Sequence, residues 1–157
     1  MIEGKMIAGK RLKENLSTLI WGSNEHASMF ACPMETKMSM DLNFWKYKEG
    51  AVHDNSKIYE LACCDGQAAE ELECLPIDEI FEKIASVFSD WTALDKNHYE
   101  KEGRGAFEIF TTSQIVRFDC YGMQEVDMNS LMDILIDFGC PLYDPQISTR
   151  FDSWTDR

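Results

Sequence analysis

Between Gly105 and Gly139 the hydrophobic spacing switches from two residues to about 3.6, and no other feature of the chain constrains its fold more tightly. In Ala106–Thr112, Phe107 and Ile109 alternate with Ala106, Glu108 and Phe110. In Gln114–Tyr121, Val116, Phe118 and Cys120 alternate with Ile115, Arg117, Asp119 and Tyr121. Two alternating runs this close together predict a β-hairpin with one face packed on helices. Phe110, Ile115 and Tyr121 on the second face imply that it is partly covered too. The pattern over Asp127–Phe138 is helical: Met128, Leu131, Met132, Ile134, Leu135, Ile136 and Phe138 share a wide apolar arc, and Asn129, Ser130, Asp133 and Asp137 fill the remainder. Asp127 is placed to cap this helix, and Gly139 with Pro141 to end it.

The other elements follow the same logic. Lys10–Trp21 reads as a helix stopped by Gly22, and Ser23–Thr36 as a loop. Met38, Met40, Leu42 and Phe44 alternate with polar residues, which predicts a half-buried strand over Lys37–Tyr47. A turn over Glu49–Ser56 leads to an expected second strand, Lys57–Cys64, ended by Asp65-Gly66. Gln67–Leu75 reads as a short helix. Pro76–Trp91 is strongly amphipathic, with Ile77, Ile80, Phe81, Ile84, Val87, Phe88 and Trp91 on one face. Leu94–Arg104 reads as a loop, with His98–Lys101 as a short edge strand. The tail from Pro141 to Arg157 carries enough apolar residues to lie on the body of the protein. Residues 1–157 are therefore expected to form one α+β domain, an antiparallel sheet (hairpin 106–121 plus N-terminal strands) covered by amphipathic helices.

Charge decides which partners are plausible. The net charge is −13. Through Leu75 there are 8 bases against 12 acids, and after it 7 against 16. Such a chain lacks the clustered Lys and Arg that neutralise phosphates, so direct binding to nucleic acid or to an anionic membrane is disfavoured. No apolar run approaches the ~20 residues needed to span a bilayer. No apolar core follows Lys5, Lys10, Arg11 and Lys13 as a secretory signal would require, so a cytoplasmic protein is expected. Its cysteines (Cys32, Cys63, Cys64, Cys74, Cys120 and Cys140) are then expected to be reduced. From Asp119 to Asp144 the chain holds six acids (Asp119, Glu125, Asp127, Asp133, Asp137 and Asp144) and no Lys, Arg or His. Asp133 and Asp137 lie four apart on one helix, a like-charge pair costing roughly 0.2–0.5 kcal/mol. These six are the candidate partner-binding residues: either a solvated face or an anionic surface kept for a basic partner.

The patterns that catalysis would need are missing. There is no Cys-x-x-Cys and no His-x-x-x-His, so no metal or other cofactor is expected. Nothing local brings His26, His53 or His98 beside a cysteine. Gly103-Arg104-Gly105 lacks the third glycine of a dinucleotide fingerprint and precedes a strand, not a helix. Acids are so plentiful that pairs such as Glu70-Glu71 carry no information.

In its helix Pro76–Trp91, hairpin Ala106–Tyr121, helix Asp127–Phe138 and closing Pro141-Leu142-Tyr143-Asp144-Pro145-Gln146, the chain resembles the small acidic immunity proteins of bacterial toxin systems. The resemblance covers about half the chain. It implies a non-enzymatic protein whose acidic side chains block a basic toxin, often a nuclease, by complementary binding. It assigns no residue a role. Two alternatives stand beside it. One is a small enzyme or ligand-binding domain, with a pocket lined by Trp91, His98, Tyr121 or Tyr143. The other is a homo-oligomeric subunit pairing through an exposed strand such as Met38–Phe44.

Overall fold

The computed structural model describes residues 39–151. The helix expected over Lys10–Trp21, the loop Ser23–Thr36, Cys32 and the last six residues lie outside them. The described chain is α+β, as the spacing predicts: seven antiparallel strands with helices on both sides.

The strand β1 (Ser39–Trp45) is followed by α1 (Asn55–Ile58), which runs into a π turn at Tyr59–Cys64, and then by α2 (Ile77–Val87). Four strands come next: β2 (Thr92–Asp95), β3 (His98–Lys101), β4 (Gly105–Thr111) and β5 (Ile115–Tyr121). The helix α3 (Glu125–Asp137), β6 (Leu142–Asp144) and β7 (Thr149–Arg150) close the described chain. The strand order is β2-β3-β4-β5-β1-β6-β7, so the first strand sits inside the sheet, between β5 and β6. Neither edge of the sheet is formed by β1, as pairing through Met38–Phe44 would need; the edges are β2 and β7.

Alternation sorts the side chains. Met40, Leu42 and Phe44 of β1 join Phe107 and Ile109 of β4 and Val116, Phe118 and Cys120 of β5 on one face. There Ile80 and Ile84 of α2, and Met128, Leu131 and Leu135 of α3, complete the main core. On the opposite face Trp45, Ile115 and Tyr143 are covered by Ile58, Ala62 and Cys63 from α1 and its π turn. That cover stops near β5. Beyond it this face carries Asp119, Glu108 and Tyr121, which remain partly or largely exposed.

Several expected elements change. Lys57–Cys64 is helical, not a strand. The Asp54 carboxylate accepts the Lys57 N–H at 3.1 Å, which starts the helix, and Ile58 and Ala62, four apart, both face the sheet. Gln67–Leu75 is not a helix. It runs alongside the end of β1, with Lys48 N–H donating to Glu71 O and Glu73 N–H to Lys46 O, both at 2.8 Å. The buried Gln114 side chain holds it there, accepting the Ala69 N–H at 2.9 Å and donating to the carbonyls of Ala69 and Leu72. Pairing with a distant side chain outweighs local helix preference here. The helix expected over Pro76–Trp91 ends at Val87, and Trp91 turns back to pack its ring on Phe88 and Phe107. The expected loop Leu94–Arg104 takes in the end of β2 and the whole of β3, and β2 pairs on the outer side of β3, so His98–Lys101 is not at the edge.

The last helix begins before Asp127. Gln124 is its N-cap and makes no side-chain capping bond. Its end is as expected: Gly139 has φ +80°, Gly139 N–H donates to Ile136 O, and Cys140 N–H to Leu135 O, both at 2.9 Å. This is a Schellman termination, which needs a left-handed residue at that point.

Candidate partner-binding face

The face opposite α2 and α3 carries a transverse row of polar side chains. Asp41 on β1 lies directly opposite Asp119 on β5. Asp119 in turn lies opposite Glu108 on β4, and Glu108 opposite His98 on β3. Three carboxylates thus stand side by side across adjacent strands. Like charges placed opposite one another in a sheet are destabilising, by up to ~1 kcal/mol a pair. His98 Nδ1 lies 3.7 Å from Glu108 Oε1 at one end of the row.

The cation at the centre of this face is Arg117. Its Nε donates to Asp119 Oδ1 at 2.8 Å and its Nη2 to Asp119 Oδ2 at 3.1 Å. Its Nη1 donates to the Cys63 carbonyl at 2.6 Å, and its guanidinium stacks 4.7 Å from the Phe110 ring centroid. Arg117 therefore fastens the π turn to the sheet and is committed to Asp119. Among the described residues, no Lys or Arg forms an ion pair with Asp41. Burial raises the Asp41 pKa above the ordinary aspartate value. The Asp119 charge and a hydrogen bond between the two carboxyls add to the rise, and Arg117 opposes it. Close by, burial and a hydrogen bond with Cys64 push the Tyr59 hydroxyl up to about 12.

The six acids singled out in the sequence do not share one surface. Asp119 is on this face. Glu125, Asp127, Asp133 and Asp137 belong to α3, which packs on the other side of the sheet. Asp127 is buried and holds Arg104, whose Nε donates to it at 2.9 Å and whose Nη2 makes a second bond. Asp144 is buried in β6 and accepts the Gln146 N–H at 2.9 Å; burial raises its pKa, and hydrogen bonds from Gln146 and Ile147 oppose the rise. On the outer side of α3, Asp133 is half-buried and Asp137 exposed.

Sequence reasoning missed Asp41 and Glu108. The hairpin turn sets Glu108 opposite Asp119, so that pairing was present in the spacing. Asp41 joins the row only through the pairing of β1 with β5, which no local pattern announces. The residues proposed for a ligand pocket are also separated: Trp91 packs in the main core, Tyr143 beneath α1, and Tyr121 on the open face. Among the described residues no group of three or more His, Cys, Asp or Glu is arranged to hold a metal ion, and no helix is long and apolar enough to cross a membrane. Cys63, Cys64, Cys74, Cys120 and Cys140 are all free thiols.

The fold and this face define an α+β protein whose antiparallel sheet is covered over its central strands by α2 and α3 on one side and more narrowly by α1 and its π turn on the other, with an acidic row across that second side. No protein-family model, curated protein or solved structure matches the chain.

Proposed function

We propose that this is an acidic, cytoplasmic protein-binding module that engages a basic protein through the open sheet face, acting as an immunity-type protein that neutralises a toxin. The observation that supports the reading best is the row Asp41–Asp119–Glu108. Its charges oppose one another on rigid strands, and the guanidinium among them is already engaged on both carboxylate oxygens of Asp119. A cationic partner would relieve that repulsion, so the same charges that cost stability in the free protein favour the complex. A sheet also fixes carboxylate spacing better than a loop would, which suits recognition of a defined pattern of lysines or arginines.

The test is co-purification from the source cell, using the wild-type chain and the double variant Asp41→Asn, Glu108→Gln as baits. The expected result is a basic protein retained by the wild type, eluted by moderate salt and lost from the double variant. Retention that is indifferent to both salt and these substitutions overturns the reading.

A further inference from the structure

We propose that the segment Lys10–Trp21 of this same chain docks along the outer flank of α3, antiparallel to it, and completes the layer over β6 and β7. This surface lies across the sheet from the acidic row and does not depend on the proposed partner. The connection α3 runs from β5 to β6, the two strands that flank β1. One flank of α3 is turned to β4 and α2. There the buried Asp127 meets Arg104 from the turn before β4, and Phe88, at the end of α2, packs its ring 5.0 Å from that of Phe107 on β4. Asn129, Met132 and Ile136 lie roughly 140–180° round the helix from Asp127, on the flank turned to β6 and β7. The described helices on this side of the sheet are α2 and α3, so no described helix stands beside that flank. It is covered all the same: Asn129 is 6% exposed, Met132 0%, and Phe151, just past the edge strand β7, 7%. A helix buried almost all round has neighbours on more than one side. The buried Asn129 Oδ1 has no hydrogen-bond partner among the described residues, and a buried acceptor calls for a donor.

Lys10–Trp21, which lies outside the described residues, fits this flank by pattern, charge and reach. Its spacing predicts a helix with Leu12, Leu16, Leu19 and Ile20 in one apolar stripe, the complement of Met132 and Ile136. Asn15, Ser17 and Thr18 between those positions carry donors for Asn129 Oδ1. Lys10, Arg11 and Lys13 crowd its first turn, where the helix dipole disfavours cations; Asp133 and Asp137 crowd the end of α3, where it disfavours anions. Antiparallel packing sets these two misplaced groups side by side, so that each offsets the other. Twelve helical residues span about 18 Å and α3 about 20 Å, a close match. Ser39 stands opposite Tyr121, at the end of β5 that leads into α3, so the chain enters the sheet beside the start of that helix. Residues 22–38 can bridge up to about 55 Å when extended, ample to bring Trp21 to the same end. Residues 152–157 are the other stretch near this flank. They hold one base against two acids and are too few to line α3.

Two measurements on the full chain test this. Hydrogen exchange should show the amides of Lys10–Trp21 exchanging at least about tenfold more slowly than in an unstructured chain. Leu16→Glu should abolish that protection, and the pair Lys10→Glu, Lys13→Glu should reduce it, while β4 and β5 stay protected in both. Adding Asp133→Lys and Asp137→Lys to the second variant should restore it. Exchange at the unstructured rate in the wild type, or protection indifferent to all these changes, overturns the proposal. The second measurement needs no variant. Carbodiimide cross-linking of a mixture of nitrogen-15-labelled and unlabelled protein should join Lys10 or Lys13 to Asp133 or Asp137 in peptides of a single isotopic composition. Cross-links of mixed composition assign the flank to a second copy and overturn docking within one chain. Absence of any cross-link between the segment and α3 overturns the docking itself.

Discussion

Arg104 reaches from the turn between β3 and β4 to the first turn of α3, and its guanidinium grips both oxygens of the buried Asp127 carboxylate. The carboxylate is 7% exposed. This ion pair ties the hairpin to the helix that covers it, and it removes one of the acidic run's six charges from the surface. Arg104→Ala leaves a buried carboxylate without its cation. The expected loss is about 1.5–3 kcal/mol, the range for a hydrogen bond to a charged group, read by urea denaturation. Asp127→Asn should cost less, because no buried charge is stranded. Equal losses for the two would show that the pair matters through packing alone.

Asp41→Asn should act in the opposite direction, and only on one side of the pH scale. The folded protein raises the Asp41 pKa, so the native state holds that proton more tightly than the unfolded chain does. The resulting stabilisation is complete below the unfolded value and is lost as pH rises through the folded value. At neutral pH the wild type carries the full cost of opposed carboxylates, and Asp41→Asn should be more stable by up to about 1 kcal/mol. The gain should shrink as pH falls and Asp41 protonates. Urea midpoints at acid and neutral pH give the comparison, and a pH-independent gain would contradict it.

Gln114 gives a local prediction. Its amide satisfies the Ala69 N–H and two carbonyls at Ala69 and Leu72. Gln114→Ala strands these buried groups at a cost of about 1–3 kcal/mol. Hydrogen exchange should accelerate at Ala69 well before it does in β5. Loss of protection throughout the sheet at once would mean that the segment is not a separate unit.

Two glycines in one turn separate backbone strain from crowding. Gly103 has φ +79° and open space where a Cβ would stand. Gly105 has φ +97°, and a Cβ there would lie 2.5 Å from the Tyr121 carbonyl oxygen. Gly103→Ala should cost about 1–2 kcal/mol, the penalty for a left-handed L-residue. Gly105→Ala should cost clearly more, because β5 must also move. Thermal denaturation of the two variants measures the difference.

Much of this architecture was legible in the residues. The hairpin and the helices α2 and α3 were readable because each is set by spacing within one short segment. Errors arose where that spacing was ambiguous or was overruled. In Lys57–Cys64, Ile58 and Ala62 fit a helix while Tyr59, Leu61 and Cys63 fit a strand, so periodicity could not choose between them. Gln67–Leu75 follows a path dictated by Gln114, far along the chain. The candidate face was half legible: Asp119 and Glu108 are fixed by their shared turn, whereas Asp41 depends on a long-range pairing. The density of acids after Asp119 was read correctly as composition, but α3 carries much of it to the other side of the sheet.

The position of β1 has a consequence for biosynthesis. This strand pairs along its length with β5, which emerges from the ribosome only after α1, α2, β2, β3 and β4 have followed β1. Until then Leu42, Phe44 and Trp45 have no sheet to join, and the sequence-distant contacts they await are the slow kind to form. The nascent chain therefore passes through an interval with a greasy segment uncovered.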